Sequence, residues 1–287
     1  MRTFRNVAMD LSGKTRLLGV IGHPISHTLS PRMHNAAFAV SGLDYVYVAL
    51  DVRPEDLPEA VAGLGALGFR GFNVTMPHKE TILPLLDEVD GAARLSGAVN
   101  TVTIEDHMLR GSNTDINGFV EACREAGVSF AGGRVLLVGA GGAAAAISVA
   151  VLGEGASELR ILNRSRWRAE KLQDRLRWAY PEAAVSVHDA GVPEEAVAGA
   201  DVIVNATYLG MKDDDPLPMP AGCLETNVVI CDAVYRRSGD TGFVRLARER
   251  ALRTVNGERM LLYQGVQAQR IWTGREPDVR AMSRALS

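Results

Sequence analysis

The residues best equipped for chemistry stand in the stretch Arg134-Val-Leu-Leu-Val-Gly-Ala-Gly-Gly-Ala-Ala-Ala-Ala146, an apolar run that ends in glycines and passes into alanines. It reads as a strand, a tight turn and a helix. Gly139 permits the sharp turn, Gly141 lets the backbone approach a ligand, and Ala144 is the small residue that lets the helix lie on the strand. Ala140, Gly142 and Ala143 complete the turn. The helix that follows, from about Gly142 to Leu152, would aim unpaired N–H groups and its positive dipole end at that turn, which suits a pyrophosphate. Such a pattern also arises by chance. Here an apolar strand precedes it, a helix follows, and a second strand, Glu158 to Leu162, comes within one βαβ length.

The end of that second strand sets the cofactor type. A dinucleotide site usually places an acidic residue there for the ribose 2′-hydroxyl, whereas an arginine accommodates a 2′-phosphate. This chain has Asn163-Arg164-Ser165, with Arg166 and Arg168 close behind, and NADP(H) is the expected cofactor. The alternative is that these arginines form the solvated face of the next helix, a description that suits Arg168 better than Arg164.

Other polar residues collect in loops between apolar elements. Arg16 to Gly22 reads as a buried strand, His23 to Pro31 as a polar loop, and Ser30 as the cap of a helix with Pro31 at its first position. That helix carries Met33, Ala36, Ala37 and Val40 at helical spacing and stops at Gly42. Tyr45 to Leu50 reads as a strand, Pro54 to Leu67 as a helix and Gly71 to Val74 as a strand, an alternation that predicts a largely parallel sheet. Asn73 to Glu80 then places polar groups at the carboxyl end of a strand, where open α/β sheets bind ligands. Two short helices broken at Pro84 and Gly91, a hairpin around Glu105-Asp106-His107 and a helix through Phe119 and Cys123 lead into the nucleotide-binding half, with the boundary near Ile116. Further strands are expected at Ala184 to His188, Asp201 to Asn205 and Val228 to Asp232. A last long helix, Glu258 to Trp272, is expected to return to the first domain, which makes two crossings and a cleft.

Composition narrows the classes. The chain has 287 residues, 47% hydrophobic and 23% charged, enough for two globular domains. A net charge of −3 gives no basic field for nucleic acid or an anionic membrane. Met1 to Ser12 lacks the apolar core of a signal peptide and no run approaches a membrane span, so the expected location is the cytoplasm. Cys123, Cys223 and Cys231 are far apart, and the histidines show no paired metal spacing, so neither disulfides nor a metal is expected.

Five stretches, in order, resemble the shikimate dehydrogenase family, NADP-linked oxidoreductases that reduce 3-dehydroshikimate to shikimate in aromatic amino acid biosynthesis. They are H-P-I-S-H-T-L-S-P (23–31), N-V-T-M-P-H-K (73–79), G-A-V-N-T (97–101), N-T-D (113–115) and M-L-L-Y-Q-G (260–265). The resemblance implies an α/β fold of two domains. Residues 1–115 with 258–287 would form the substrate-binding and catalytic domain, 116–257 a Rossmann-like NADP-binding domain, with the active site in the cleft between them. It implies that Lys79 and Asp115 are the catalytic pair and that Thr28, Ser30, Thr75, Asn100, Tyr235 and Gln264 also contact substrate. On the cofactor side it implies Gly139 to Ala143, Asn163, Arg164, Ser165, Arg168, Ala206, Thr207 and Gly257. The partner implied is a small-molecule substrate, with a homodimer as a candidate assembly.

Two positions depart from the family pattern. Thr28 stands where serine is common, and Ile116 stands where glycine usually follows Asn-Thr-Asp, as in a quinate/shikimate branch. Broader use of quinate is therefore one alternative, and a non-catalytic regulator that binds shikimate and NADP is another. Each site residue also has a plainer role open to it. Asp115 could cap a helix, Lys79 could be a solvated surface lysine, Asn100 and Gln264 exposed amides, and Tyr235 a core residue.

Overall fold

In the computed structural model, which describes residues 11–224 and 227–286, the chain forms two compact units. One comprises the described parts of Met1–Asp90, Val99–Ser112 and Gly265–Ser287, the other those of Gly91–Ala98 and Asn113–Gln264. All but two of the twelve N-terminal residues that lack a signal-peptide core lie outside the described residues. Among those described, no helix is long and apolar enough to cross a membrane.

The first unit opens with β1 (Arg16–Gly22), α1 (Ser30–Ser41), β2 (Tyr45–Asp51), α2 (Leu57–Ala66), β3 (Gly71–Val74) and β4 (Glu88–Val89). After α3 (Gly91–Ser96), which belongs to the other unit, it continues with β5 (Thr101–Glu105) and β6 (Met108–Ser112). The sheet order is β2-β1-β3-β5-β6-β4. It is largely parallel, as the alternation of strand and helix predicts. β1, β2 and β3 run parallel, β4 pairs parallel with β6, and of the six strands β5 alone runs against the rest, pairing antiparallel with β3 and β6. The two-residue turn is made by Asp106 and His107, both at positive φ, as the tight hairpin geometry demands. The first of the two short helices expected before Gly91 is only a 3-10 turn at Leu83–Leu85, which Pro84 tolerates, and β4 follows it.

The second unit continues with α4 (Thr114–Glu125), β7 (Arg134–Val138), α5 (Gly142–Gly153), β8 (Glu158–Leu162), α6 (Arg166–Ala179), β9 (Ala184–His188) and α7 (Pro193–Val197). Then come β10 (Val202–Asn205), β11 (Val229–Asp232), α8 (Gly242–Glu249) and β12 (Thr254–Val255). The strand order β12-β11-β10-β7-β8-β9 is parallel throughout. This is the doubly wound order, with the direction of winding reversing between β7 and β10. Helix α5 is buried along one continuous run from Ala144 to Leu152, which is why its sequence shows no polar face.

Helix α9 (Gly257–Thr273) belongs to the second unit up to Gln264 and to the first from Gly265, and α10 (Val279–Leu286), absent from the sequence expectation, packs on α1. Gly265 lets α9 pack closely there: a Cβ would lie 2.2 Å from Met33 Cε, and the end of that methionine would have to move.

The core of the first unit is aromatic. Phe38 stacks on Tyr45 with ring centroids 5.3 Å apart, and His34 stacks on Tyr47 at 4.3 Å with Trp272 at 5.8 Å. These contacts turn the buried face of α1 toward His34 and Phe38, and Val40, expected on the apolar stripe, is exposed. His34 has no exposed surface, and neither ring nitrogen has a hydrogen-bond partner. Burial pulls its pKa from 6.5 down to about 3. The unfolded chain therefore takes up a proton below pH 6.5 that the folded chain refuses down to about pH 3, so stability falls as pH drops through that window. Each pH unit costs at most about 1.4 kcal/mol. Acid titration followed by circular dichroism should show His34→Leu unfolding at lower pH than the parent, and an unchanged acid midpoint would refute the assignment.

Candidate active site

In the first unit, three loops leave one edge of the sheet. β1 and β3 run parallel and end at Gly22 and Val74, while antiparallel β5 pairs Thr101 with Asn73, which puts Asn100 at the same edge. Main-chain hydrogen bonds fix these loops to one another. Thr75 N–H donates to the Ile21 carbonyl at 2.9 Å, His23 N–H to Met76 at 3.0 Å and Val99 N–H to Lys79 at 2.8 Å. A Cβ on Gly22 would lie 2.4 Å from Thr75 Cγ2, so the approach of loop to strand requires glycine.

The edge is organised by a buried amide. Asn73 accepts from Tyr47 Oη at 2.7 Å and donates through Nδ2 to the Asn100 carbonyl at 3.0 Å and to Thr101 Oγ1 at 2.9 Å. Thr101 Oγ1 in turn donates to Asn100 Oδ1 at 2.9 Å. Thr28 and Ser30 are both buried, with their hydroxyl oxygens 3.3 Å apart. Ser30 is not the cap of α1. The N-cap is Leu29, without a side-chain bond, and Ser30 is already helical with its hydroxyl turned to Thr28. His78 is fully buried and its Nε2 meets the Val52 carbonyl at 2.7 Å, which pins the segment that carries the half-buried Lys79. His23 lies 2.9 Å from Asp51. Among the described residues, no three His, Cys, Asp or Glu gather in a metal-binding group.

In the second unit, the capping duty left open for Asp115 is performed by Asn113, whose side chain accepts from Asp115 N–H at 3.1 Å. Asp115 is thus a buried carboxylate in the first turn of α4, 5% exposed, with the helix already capped. Gln264 is neither surface-exposed nor loose. It donates to the Leu261 carbonyl at 2.8 Å and accepts from Thr114 Oγ1 at 3.5 Å, and a Cβ on Gly118 would lie 2.7 Å from its backbone nitrogen.

The cofactor-type residues gather at the carboxyl edge of the parallel sheet. Gly139 follows β7, Asn163 to Ser165 follow β8, Ala206 and Thr207 follow β10, Tyr235 lies beyond β11 and Gly257 beyond β12. Gly139 has φ +120°, and a Cβ there would meet the Ala206 carbonyl oxygen at 2.9 Å. A Cβ on Gly141 would meet nothing within 4 Å, so beside the N-terminus of α5 the backbone faces open space. A glycine-rich turn, open space beside Gly141 and a helix N-terminus fit a dinucleotide pyrophosphate. Asn163 Nδ2 donates to the Ser165 carbonyl at 2.8 Å and shapes the loop that presents the exposed Arg164. Arg166 pairs with Glu170 at 2.8 Å on the helix surface, and Arg168 lies over the Trp167 ring at 5.3 Å.

A second buried hub ties this edge together. Asn205 Oδ1 accepts from the Thr207 N–H and Oγ1 at 3.1 and 2.7 Å, and its Nδ2 donates to Asp232 Oδ1 at 2.9 Å. Asp232 also accepts from the Val234 N–H at 3.0 Å and from Thr241 Oγ1 at 2.5 Å. Burial drives the Asp232 carboxyl up to about 6, while the Thr241, Val234 and Asn205 bonds oppose that shift. Asp232 therefore holds the approach to the half-buried Tyr235. Gly257 packs on the same segment, where a Cβ would come 2.5 Å from the Val234 carbonyl oxygen. Asn205 and Asp232 were not among the site residues expected from the sequence, and Asn73 was expected only as part of the polar run at 73–80, without a role of its own. Their signal is a polar residue at or next to the end of an otherwise apolar strand, in GFNV, VIVN and VICD.

Three family models match along the chain. Residues 20–102 match the family model described as shikimate dehydrogenase substrate binding domain, 121–210 that of shikimate / quinate 5-dehydrogenase, and 257–286 that of shikimate 5'-dehydrogenase C-terminal domain. A shikimate dehydrogenase (NADP(+)) of Rubrobacter xylanophilus is 59% identical, covering 96% of this chain and 97% of that protein. Shikimate 5-dehydrogenase from Thermus thermophilus, solved with NADP(H) and shikimate, superposes with a TM-score of 0.84 at 36% identity, covering 94% of this chain and 98% of that one. Quinate dehydrogenase from Corynebacterium glutamicum, solved with NAD, gives a TM-score of 0.87 at 35% identity over 94% of this chain and 98% of that one. With a relative more than half identical along almost its whole length, and with strand order and glycine contacts that suit a dinucleotide, this chain belongs to the shikimate dehydrogenase family.

Proposed function

We propose that this chain is an NADP-dependent oxidoreductase that reversibly reduces 3-dehydroshikimate to shikimate. The observation that carries this is the 59% identity to an NADP-type shikimate dehydrogenase over 96% of the chain, which takes in both the unit holding Lys79 and the unit holding the Gly139 turn. Residues 1–115 with 258–287 serve the substrate, and 116–257 serve the cofactor. The Gly139 to Ala143 turn would hold the pyrophosphate, and Arg164 would meet the 2′-phosphate. Ala206, Thr207 and Gly257 would also hold the cofactor. Bound NADP(H) supplies or takes up the hydride.

The chain's own residues handle the proton and the orientation. As the ketone of dehydroshikimate is reduced, charge builds on its oxygen, and Lys79 donates a proton there. In the reverse direction the same amine takes the hydroxyl proton. Asp115 orients both the ammonium and the substrate hydroxyl. Thr28, Ser30, Thr75, Asn100, Tyr235 and Gln264 hold the remaining polar groups of the substrate, a task for which buried and hydrogen-bonded side chains are prearranged. The work is that of a cytoplasmic enzyme acting on a small molecule, without nucleic acid or membrane.

A second specificity has its own support. Thr28 adds a methyl group where the family commonly has serine, Ile116 replaces a glycine, and a quinate dehydrogenase shares the fold at 35% identity. Quinate carries one more hydroxyl, and a pocket that merely tolerates such a group discriminates by roughly 10²-fold or less.

Purified protein mixed with shikimate and NADP⁺ should reduce the cofactor, and Lys79→Ala should lower kcat by about 10²–10⁴-fold with little change in substrate KM. The double variant with Asp115→Ala should lose far less than the product of the single losses. Tight shikimate binding without turnover in the parent would instead identify a regulator. Arg164→Ala should raise the KM for NADP⁺ roughly ten- to a hundredfold, the size of one charge-assisted hydrogen bond, and leave that for NAD⁺ nearly unchanged. Equal losses with both cofactors would make Arg164 structural. The quinate to shikimate ratio of kcat/KM should exceed about one in a thousand if the pocket is permissive, and a smaller ratio would exclude quinate as a substrate.

A further inference from the structure

Arg164, Arg166 and Arg168 crowd the end of β8 and the start of α6, in a first turn that holds no acidic residue. Arg166 is neutralised by Glu170 at 2.8 Å. Arg164 and Arg168 are exposed, and among the described residues neither has a carboxylate partner. Arg168 has a partner of another kind, since its guanidinium lies over the Trp167 ring, 5.3 Å from the centroid. That indole is 62% exposed, and one exposed indole by itself is ordinary. What gives it a role is the cation on its face. An arginine on an open helix surface samples many rotamers, and its planar, weakly hydrated head is held by an aromatic face within about 6 Å. The backbone adds a second constraint. Arg168 N–H donates to the Ser165 carbonyl at 3.1 Å, and the same carbonyl accepts from Asn163 Nδ2 at 2.8 Å. Arg168 is thereby tied to the loop that presents Arg164, and side chains in a first helical turn lean back toward the helix N-terminus.

We propose that Trp167 is a positioning residue for the cofactor's 2′-phosphate: its ring face holds the Arg168 guanidinium ready, so that a second cation besides Arg164 serves the phosphate. This rests on the NADP(H) reading above. Trp167 acts through Arg168 and makes no contact of its own with the nucleotide. Its contribution is pre-organisation, because a guanidinium already restricted to one region loses less conformational freedom when the phosphate arrives. A nucleotide without the 2′-phosphate gains nothing from it, so Trp167 bears on the choice of NADP over NAD.

Calorimetric titration of the full chain with adenosine 2′,5′-bisphosphate and with 5′-AMP tests this, because the two differ only in the 2′-phosphate. Trp167→Leu keeps apolar bulk and helix propensity but has no ring face. It should weaken the bisphosphate about two- to fivefold, the affinity equivalent of one exposed cation–π contact, and leave 5′-AMP within about 1.5-fold of the parent. Trp167→Phe, which restores a ring face, should recover most of that loss. Arg168→Ala should weaken the bisphosphate about tenfold or more, and adding Trp167→Leu to it should cost no more than about 1.5-fold further, since the two act as one unit. Equal losses for both nucleotides would make Trp167 an adenine contact or a structural residue, and a further loss in the Arg168→Ala background would show that it acts without Arg168. Either result, or full bisphosphate affinity in Trp167→Leu, overturns the proposal. A parent that binds both nucleotides equally would overturn the NADP(H) reading itself, and this proposal with it.

Discussion

The nucleotide-binding unit depends on one close approach. The Ala206 carbonyl oxygen sits 2.9 Å from where a Cβ of residue 139 would be, and Gly139 holds φ +120°, so no side chain fits there by space or by torsion. This contact lets the loop after β10 lie against the turn after β7, at the point where the strand order reverses. The sheet is parallel throughout, so every strand delivers its loop to that same edge. The glycine turn, the Arg164 loop, Ala206 with Thr207 and the approach to Tyr235 are neighbours because the topology leaves them no other place. The likeness to NADP-type enzymes then has a structural basis in backbone geometry rather than in any single side chain.

Each unit holds its edge with a buried polar hub. In the first, Asn73 bonds Tyr47, Asn100 and Thr101; in the second, Asn205 and Asp232 bond Thr207, Val234 and Thr241. Buried polar groups are costly when unpaired, so a network whose members are mutually satisfied tolerates only one arrangement of the loops it joins. That rigidity is what a polyol substrate and a dinucleotide need, because many modest hydrogen bonds discriminate only if their donors and acceptors stay in place. The catalytic proposal for Lys79 gains from the same logic: its segment is anchored by the buried His78 and by the bond from Val99 to its own carbonyl. Asp115 gains from Asn113, which relieves it of capping.

Much was legible in the chain by itself. The two periodicities, two along strands and 3.6 along helices, located nearly every element, and the glycine turn with Arg164 announced a phosphorylated dinucleotide before any coordinates. Those features are local, encoded by neighbours within a few residues, and so survive being read in one dimension. The ordered motifs at 23–31, 73–79, 97–101, 113–115 and 260–265 carried the family and its chemistry, and a relative at 59% identity agrees with them.

Other features were decided only by packing. The sequence could not tell that Ser30 would turn its hydroxyl to Thr28 rather than cap α1, or that Asn113 rather than Asp115 would cap α4, because either residue at each site has suitable chemistry. It could not show that β5 would pair antiparallel with β3, or that stacking of His34 on Tyr47 would turn α1 until Val40 faced solvent. Nor could it show the partners of Asn73 and Asp232, which lie up to 28 residues away along the chain. Local propensity fixes which elements form; which of several chemically suitable groups a side chain meets is fixed by distances that exist only after distant segments have packed.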